Sequence, residues 1–212
     1  MAQRRSMAHY KTSKKMAKRK QERRRRFLDT AIALFGRLGY HAVTVPMIVA
    51  KADSSTGAFY LYFRNKEDVY AEALREIDAR LAAALTTAIA RQTEVAAQMA
   101  QAVESFVCWL AENPLETRML LEAATLGGRP EEIRREVIES HVRSVAIKLE
   151  RAAPSIDARD RGLVASCWTG AVIEAAVAWL RMEQAERPDA AHLASIVKSF
   201  NLRGVGLAAD RD

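Results

Sequence analysis

The chain has 212 residues, half of them hydrophobic, with only 9 Gly and 5 Pro. A composition rich in Ala, Leu, Glu and Arg favours an all-helical protein with a full core, and excludes low-complexity and disulfide-framework chains. The net charge of +7 is uneven: residues 1–26 carry 12 Lys and Arg against the single acid Glu22, so residues 27–212 are acidic on balance.

In chain order, the first segment is the basic arm itself, Arg4 to Arg26. Blocks of like charge are solvated or disordered and often serve as nucleic-acid arms, so residues 1–20 read as a flexible arm. A solubility tail has the same composition. No apolar stretch of signal-peptide type follows the charges.

Phe27, Leu28, Ala31, Leu34, Phe35 and Leu38 recur at helical steps, which predicts a helix ending at Gly39. Thr44 is placed to cap a second helix, with its hydroxyl accepting the Met47 amide and Pro46 in the first turn. Asp53-Ser54 forms a turn. Ser55 then caps a third helix, expected over Thr56 to Phe63, and Asn65 caps a fourth that opens with Lys66-Glu67-Asp68.

Two short helices joined by a tight turn, the second polar and small at its start, describe a helix-turn-helix. Ser55, Thr56, Gly57 and Ala58 let a helix approach base edges closely. Ser and Thr hydroxyls donate to or accept from any base, and a Thr methyl fits a thymine methyl. Tyr60 offers a hydroxyl to phosphate, while Phe59 and Phe63 are predicted to face the core. Tyr60 and Tyr62 also suit ordinary helix-packing roles.

The run Phe35-Gly39-Tyr40, Thr44-Val45, Ile48, Ala52, Ser55-x-Gly57, Phe59-Tyr60-x-Tyr62-Phe63 and Lys66-Glu67 resembles the DNA-binding domain of TetR-type transcriptional regulators. The match spans about a fifth of the chain. The resemblance implies an all-helical homodimer, with an N-terminal three-helix DNA-binding domain and a larger helical domain for dimerisation and effector binding. It also implies that Thr44, Tyr60 and Lys66 contact phosphate, and that Ser55, Thr56 and Ala58 face the major groove. Three positions depart from the family pattern. Val49 stands where the family usually has Ala, and Asp53-Ser54 stands where it has Gly-Val. Asp tolerates a left-handed turn better than most residues.

On this reading residues 1–20 are the arm, 21–67 the DNA-binding domain and 68–212 the effector and dimer domain. Beyond Asp68, amphipathic helices are expected near 65–91, 94–112, 114–127, 131–153, 157–183 and 189–207, with breaks at Asn113-Pro114, Gly127-Gly128, Pro154 and Arg187-Pro188. The segment Leu163 to Leu180 is apolar over a wide arc, and Leu193, Ile196, Val197 and Phe200 form the face of the last helix. In the resembling family the last two long helices build the dimer, although a plain core explains the pattern as well. Phe106, Trp109, Met119 and Trp168 are candidate walls of an apolar pocket, with Glu122 and Glu174 as polar groups that orient a ligand.

Other chemistries lack their constellations. There is no nucleophile elbow, phosphate loop, zinc-protease motif or dinucleotide fingerprint, so neither catalysis nor a cofactor is expected. The four His residues are scattered at 9, 41, 141 and 192, which does not suit a metal site, and His141 reads as a satisfied histidine. Cys108 and Cys167 read as buried thiols in a reducing cytoplasm. The longest nearly uncharged run, Cys167 to Leu180, is 14 residues with Glu174 inside it, which suits a core helix rather than a membrane span. The expected function is a sequence-specific DNA-binding regulator, a repressor released from a palindromic operator by a small, largely apolar effector. The alternative is a non-specific nucleic-acid-binding protein driven by the arm.

Overall fold

The computed structural model describes residues 2–207, and side chains from residue 15 onward. Nine α-helices and no strand occur among them. The chain divides into two compact units, 1–73 and 74–212.

The first unit is built by α1 (Ala2–Leu38), α2 (Val45–Lys51), α3 (Thr56–Tyr60) and the start of α4 (Lys66–Ile89). The segment expected to be a flexible arm is drawn as the leading part of α1; the side chains of residues 1–14 lie outside those described. The core of this unit is aromatic. Phe27, Phe35, Phe59, Phe63 and Tyr70 are fully buried. Phe27 meets Phe59 and Phe63 edge-on at 5.5 and 6.3 Å, and Phe35 meets Tyr70 edge-on at 4.9 Å. Edge-to-face pairs of this kind add about 0.5–1.5 kcal/mol each beyond area burial. They let so small a unit hold the two short helices, α2 and α3, in place.

Each helix end has a local cause. Gly39 takes φ 84° and donates its amide to the Phe35 carbonyl, closing α1. Asp53 takes the left-handed position at φ 48°. Its amide and that of Ser54 return to the carbonyls of Ala50 and Val49, both at 3.2 Å, which is the double bond of a Schellman cap. The third helix is shorter than the expected Thr56–Phe63 and ends at Tyr60. The Phe59 carbonyl receives both the Tyr62 and Phe63 amides, which tightens the last turn and turns the chain out. Asn65 then caps α4, accepting the Asp68 amide at 2.8 Å, while Asp68 accepts the Arg64 amide at 3.0 Å.

The second unit holds the rest of α4, with α5 (Val95–Glu112), α6 (Pro114–Leu126), α7 (Gly128–Ala152), α8 (Arg161–Arg181) and α9 (Ala190–Gly204). α5 packs on α9, and α7 on α8. Between them lie Met99, Val103, Val107, Leu149, Trp168, Val172, Trp179, Leu193 and Val197. Two buried polar side chains of this unit are satisfied: Asn201 donates to the Trp168 carbonyl at 3.3 Å and Thr117 to the Leu110 carbonyl at 3.0 Å. Arg187 stacks on Trp179 and donates to the carbonyls of Leu180 and Met182, closing the end of α8.

α8 starts at Arg161, later than the expected 157, because Asp157 accepts the Arg159 amide at 3.1 Å and keeps the segment in a turn. Cys167, expected to be buried, is exposed. It shares the outer face of α8 with Leu163, Ser166 and Gly170, whereas Trp168 and Val172 occupy the inner one. By length and composition α8 is apolar enough to cross a membrane, yet Ala165, Trp168, Val172, Ala176 and Trp179 pack into the helical core.

Candidate nucleic-acid interface

Ser55, Thr56, Gly57 and Tyr60 are exposed along one short helix, and Phe59 on its other side is fully buried. Ser55 caps the helix, its Oγ accepting the Ala58 amide at 3.2 Å. The hydroxyl hydrogen remains available as a donor. A Cβ built on Gly57 meets nothing within 4 Å, so this residue leaves the helix front open. Ala58 is half-buried and the least accessible of the four small residues. Tyr60 is 55% exposed.

Thr44 caps α2 as expected, with the Met47 amide 3.4 Å from its Oγ, and is itself exposed. Lys66 is more constrained than a free phosphate ligand. Its ammonium donates to the Tyr40 carbonyl at 3.0 Å and sits 4.2 Å from the Tyr40 ring centre. That fixes the ammonium in place and still leaves it donors. Burial, and then the Glu67 charge, pushes the Tyr40 hydroxyl above its usual range.

Two features escaped the sequence reading. Leu61 is 73% exposed, one turn beyond Gly57 on the same face. Its apolar character argued for the core; only the position between two helix-end tyrosines hints otherwise. Arg24 bonds Glu72 at 2.6 Å and lies over the Phe63 ring, tying α1 to the start of α4. It therefore serves the fold, while Arg19, Lys20, Arg23 and Arg26 stand exposed along α1.

The second unit holds two adjoining cavities. One, about 740 Å³ including its open mouth, is lined by α4, α5, α6, α7 and α8. The other, about 960 Å³ including its open mouth, lies against Leu85, Met99, Trp168 and Lys148. Phe106, His141 and Ile173 line both. Of the expected walls, Phe106 and Trp168 line these cavities. Trp109 and Met119 are buried at 9% and 0% exposure in the helical packing instead, and Glu122 lies apart from both linings. Glu174 lines a separate open cleft with Ser166 and Arg143. His141 is satisfied, its Nε2 lying 3.1 Å from the Asp78 carboxylate.

Residues 27–73 match the family model described as bacterial regulatory proteins of the tetR family. Among curated relatives, the HTH-type transcriptional regulator YdgC of Bacillus subtilis is 38% identical over 60 residues, 28% of this chain and 31% of that protein. The fatty acid metabolism regulator protein of the same organism is 34% identical over 59 residues, 28% of this chain and 30% of that protein. The aligned stretch thus spans about a third of each relative's length. Among solved structures, the fatty acid degradation regulator FadR of Bacillus halodurans superposes with TM-score 0.73 at 22% identity, over 86% of this chain and 96% of that one. FadR of Bacillus subtilis in complex with stearoyl-CoA gives 0.72 at 20% identity, over 85% and 98%. Residues 27–73 thus carry a helix-turn-helix domain similar to that of the tetR-family regulatory proteins, and the chain shares the fold of these solved regulators.

Proposed function

We propose that the protein is a cytoplasmic, sequence-specific DNA-binding regulator, a homodimeric repressor released from a palindromic operator by a small, largely apolar molecule. The observation that carries this is the exposed Ser55-Thr56-Gly57 helix start with Tyr60 behind it, anchored by the buried Phe59 and Phe63. A helix held that rigidly and fronted by small polar groups suits direct readout in a major groove. Thr44, Tyr60 and Lys66 supply phosphate contacts at the flanks, and Ser55, Thr56 and Ala58 the base contacts. No catalytic role is assigned.

One recognition helix reads too few base pairs, so two copies are needed for two half-sites about one helical turn apart. The outer faces of α8 and α9 offer the apolar surface for that pairing: Leu163 is 71%, Ile196 54% and Phe200 68% exposed. Gly162 and Gly170 leave open space on the same side of α8. The adjoining, largely apolar cavities supply an effector site. α4 connects the two functions, since it begins in the first unit and carries Leu74 and Leu81 into the cavity wall. The stearoyl-CoA complex of the similar Bacillus subtilis regulator supports a small-molecule effector here.

The test compares affinity for palindromic fragments from the protein's own genomic neighbourhood with affinity for random DNA at moderate salt. A specific regulator is expected to show a ratio of roughly 10³ or more. Equal affinities would instead support the non-specific, arm-driven alternative.

A further inference from the structure

We propose that the larger cavity takes an anionic amphiphile, its carboxylate head held by Lys148 and Ser144 and its unbranched apolar chain running past Phe106 into the adjoining cavity. This rests on the effector reading above and gives the effector a chemical class.

Lys148 lies on α7 and is half-buried at the wall of the cavity of about 960 Å³. Its ammonium donates to Ser144 Oγ at 2.9 Å, and it has no ion pair among the described residues. No Asp or Glu lines this cavity. Burial alone pulls the lysine below its usual value. A half-desolvated cation without a counter-ion is unfavourable, and an incoming anion relieves that cost. The ammonium keeps donors beyond the one given to Ser144, and the serine hydroxyl can still donate. Together they present a fork of donors suited to a carboxylate.

Apart from the hydroxyls of Thr86 and Thr169, the rest of the wall is apolar, with Leu85, Ile89, Met99, Val103, Trp168 and Val172 along it. The other ionisable group, His141, is already paired with Asp78. It stands with Phe106 and Ile173 at the boundary with the neighbouring cavity, which is lined mainly by aliphatic side chains. A neutral apolar molecule leaves Lys148 uncompensated, and a cationic one adds repulsion. A ligand with one anionic end and a flexible apolar body satisfies both features of the wall.

The experiment titrates the full-length protein with decanoate, decanol and decyltrimethylammonium below their micelle concentrations. Intrinsic tryptophan fluorescence, to which Trp168 at the cavity wall contributes, and calorimetry are the readouts. Decanoate is expected to bind one per chain, about 10- to 100-fold more tightly than decanol, as one charge-assisted contact contributes; the cation is expected not to bind. Lys148→Met should bring decanoate down to the decanol level and leave decanol unchanged, while Lys148→Arg should keep the preference. Arg134→Gln, which removes a cation from the neighbouring wall, should also keep it. Decanol binding as tightly as decanoate, no binding of either, a preference that survives Lys148→Met, or one lost in Arg134→Gln would each overturn the assignment. Operator affinity measured without ligand on the same preparation separates the two readings. Specific DNA binding without decanoate binding removes this inference alone, and the reverse removes the regulator reading alone.

Discussion

Asp53 shows how one residue sets the geometry between two helices. It occupies a left-handed position that costs an ordinary L-residue roughly 1–2 kcal/mol, and that Asp and Gly tolerate. The two amides bonded back to Ala50 and Val49 depend on that conformation. Replacing Asp53 with Ala is expected to lower unfolding stability by about 1 kcal/mol in urea titration, more than replacement with Gly. If Ala and Gly behaved alike, the turn would not be held by its backbone conformation. Thr44 and Ser55 carry a double load of a related kind. Each caps a helix through its oxygen and keeps a hydroxyl hydrogen able to donate, on the proposed reading to a phosphate or base.

At the level of elements, α1 combines two jobs along one helix. Phe27, Leu28, Ala31 and Phe35 lie in the core, and before them Arg19, Lys20, Arg23, Arg25 and Arg26 are basic and exposed. Residues 27–75 hold five basic and five acidic side chains, so the helix-turn-helix alone has no net electrostatic drive toward DNA. On the proposed reading the arm supplies it by releasing counterions from phosphates, each contact adding about −0.9 to the slope of log affinity against log salt. Deleting residues 1–20 is therefore expected to weaken binding to all sequences and to flatten that slope. An unchanged slope would show that the arm does not touch DNA. Much of this layout was legible in the sequence: the caps at Thr44, Ser55 and Asn65, the stop at Gly39 and the aromatic anchors follow from local hydrogen bonding and helical period. The early end of α3 was not legible, because it depends on how the Phe59 carbonyl is shared within the turn.

At the scale of the whole molecule, local pattern is a weaker guide. Trp109 and Met119 were expected to line a pocket and are packed into the helical core, and Cys167, expected inside, is outside. Apolar character identifies residues that leave water; which of them border a void depends on helices distant in sequence. Lys148 illustrates the same point from the other side, since nothing in its neighbours announces a cavity wall. The exposed Leu163, Ile196 and Phe200 are the apolar surface that a monomer leaves unburied. If the proposed homodimer pairs through this surface, Phe200→Glu is expected to shift it to monomer in sedimentation equilibrium, with helical content retained and operator affinity reduced. A mutant that stays dimeric would place the interface elsewhere.

The five-residue α3 has a further consequence. A helix of that length has no independent persistence in water, so its shape is borrowed from Phe59 and the aromatic cluster behind it. Its exposed residues, Thr56, Gly57, Tyr60 and Leu61, contribute little to that cluster. Substitutions at such surface positions usually change stability by no more than about 0.5 kcal/mol. On the proposed reading, the divided helix separates inheritance of the fold from inheritance of the target: descendants of this chain can acquire new operators at the front of α3 while the hydrophobic back passes unchanged from one to the next.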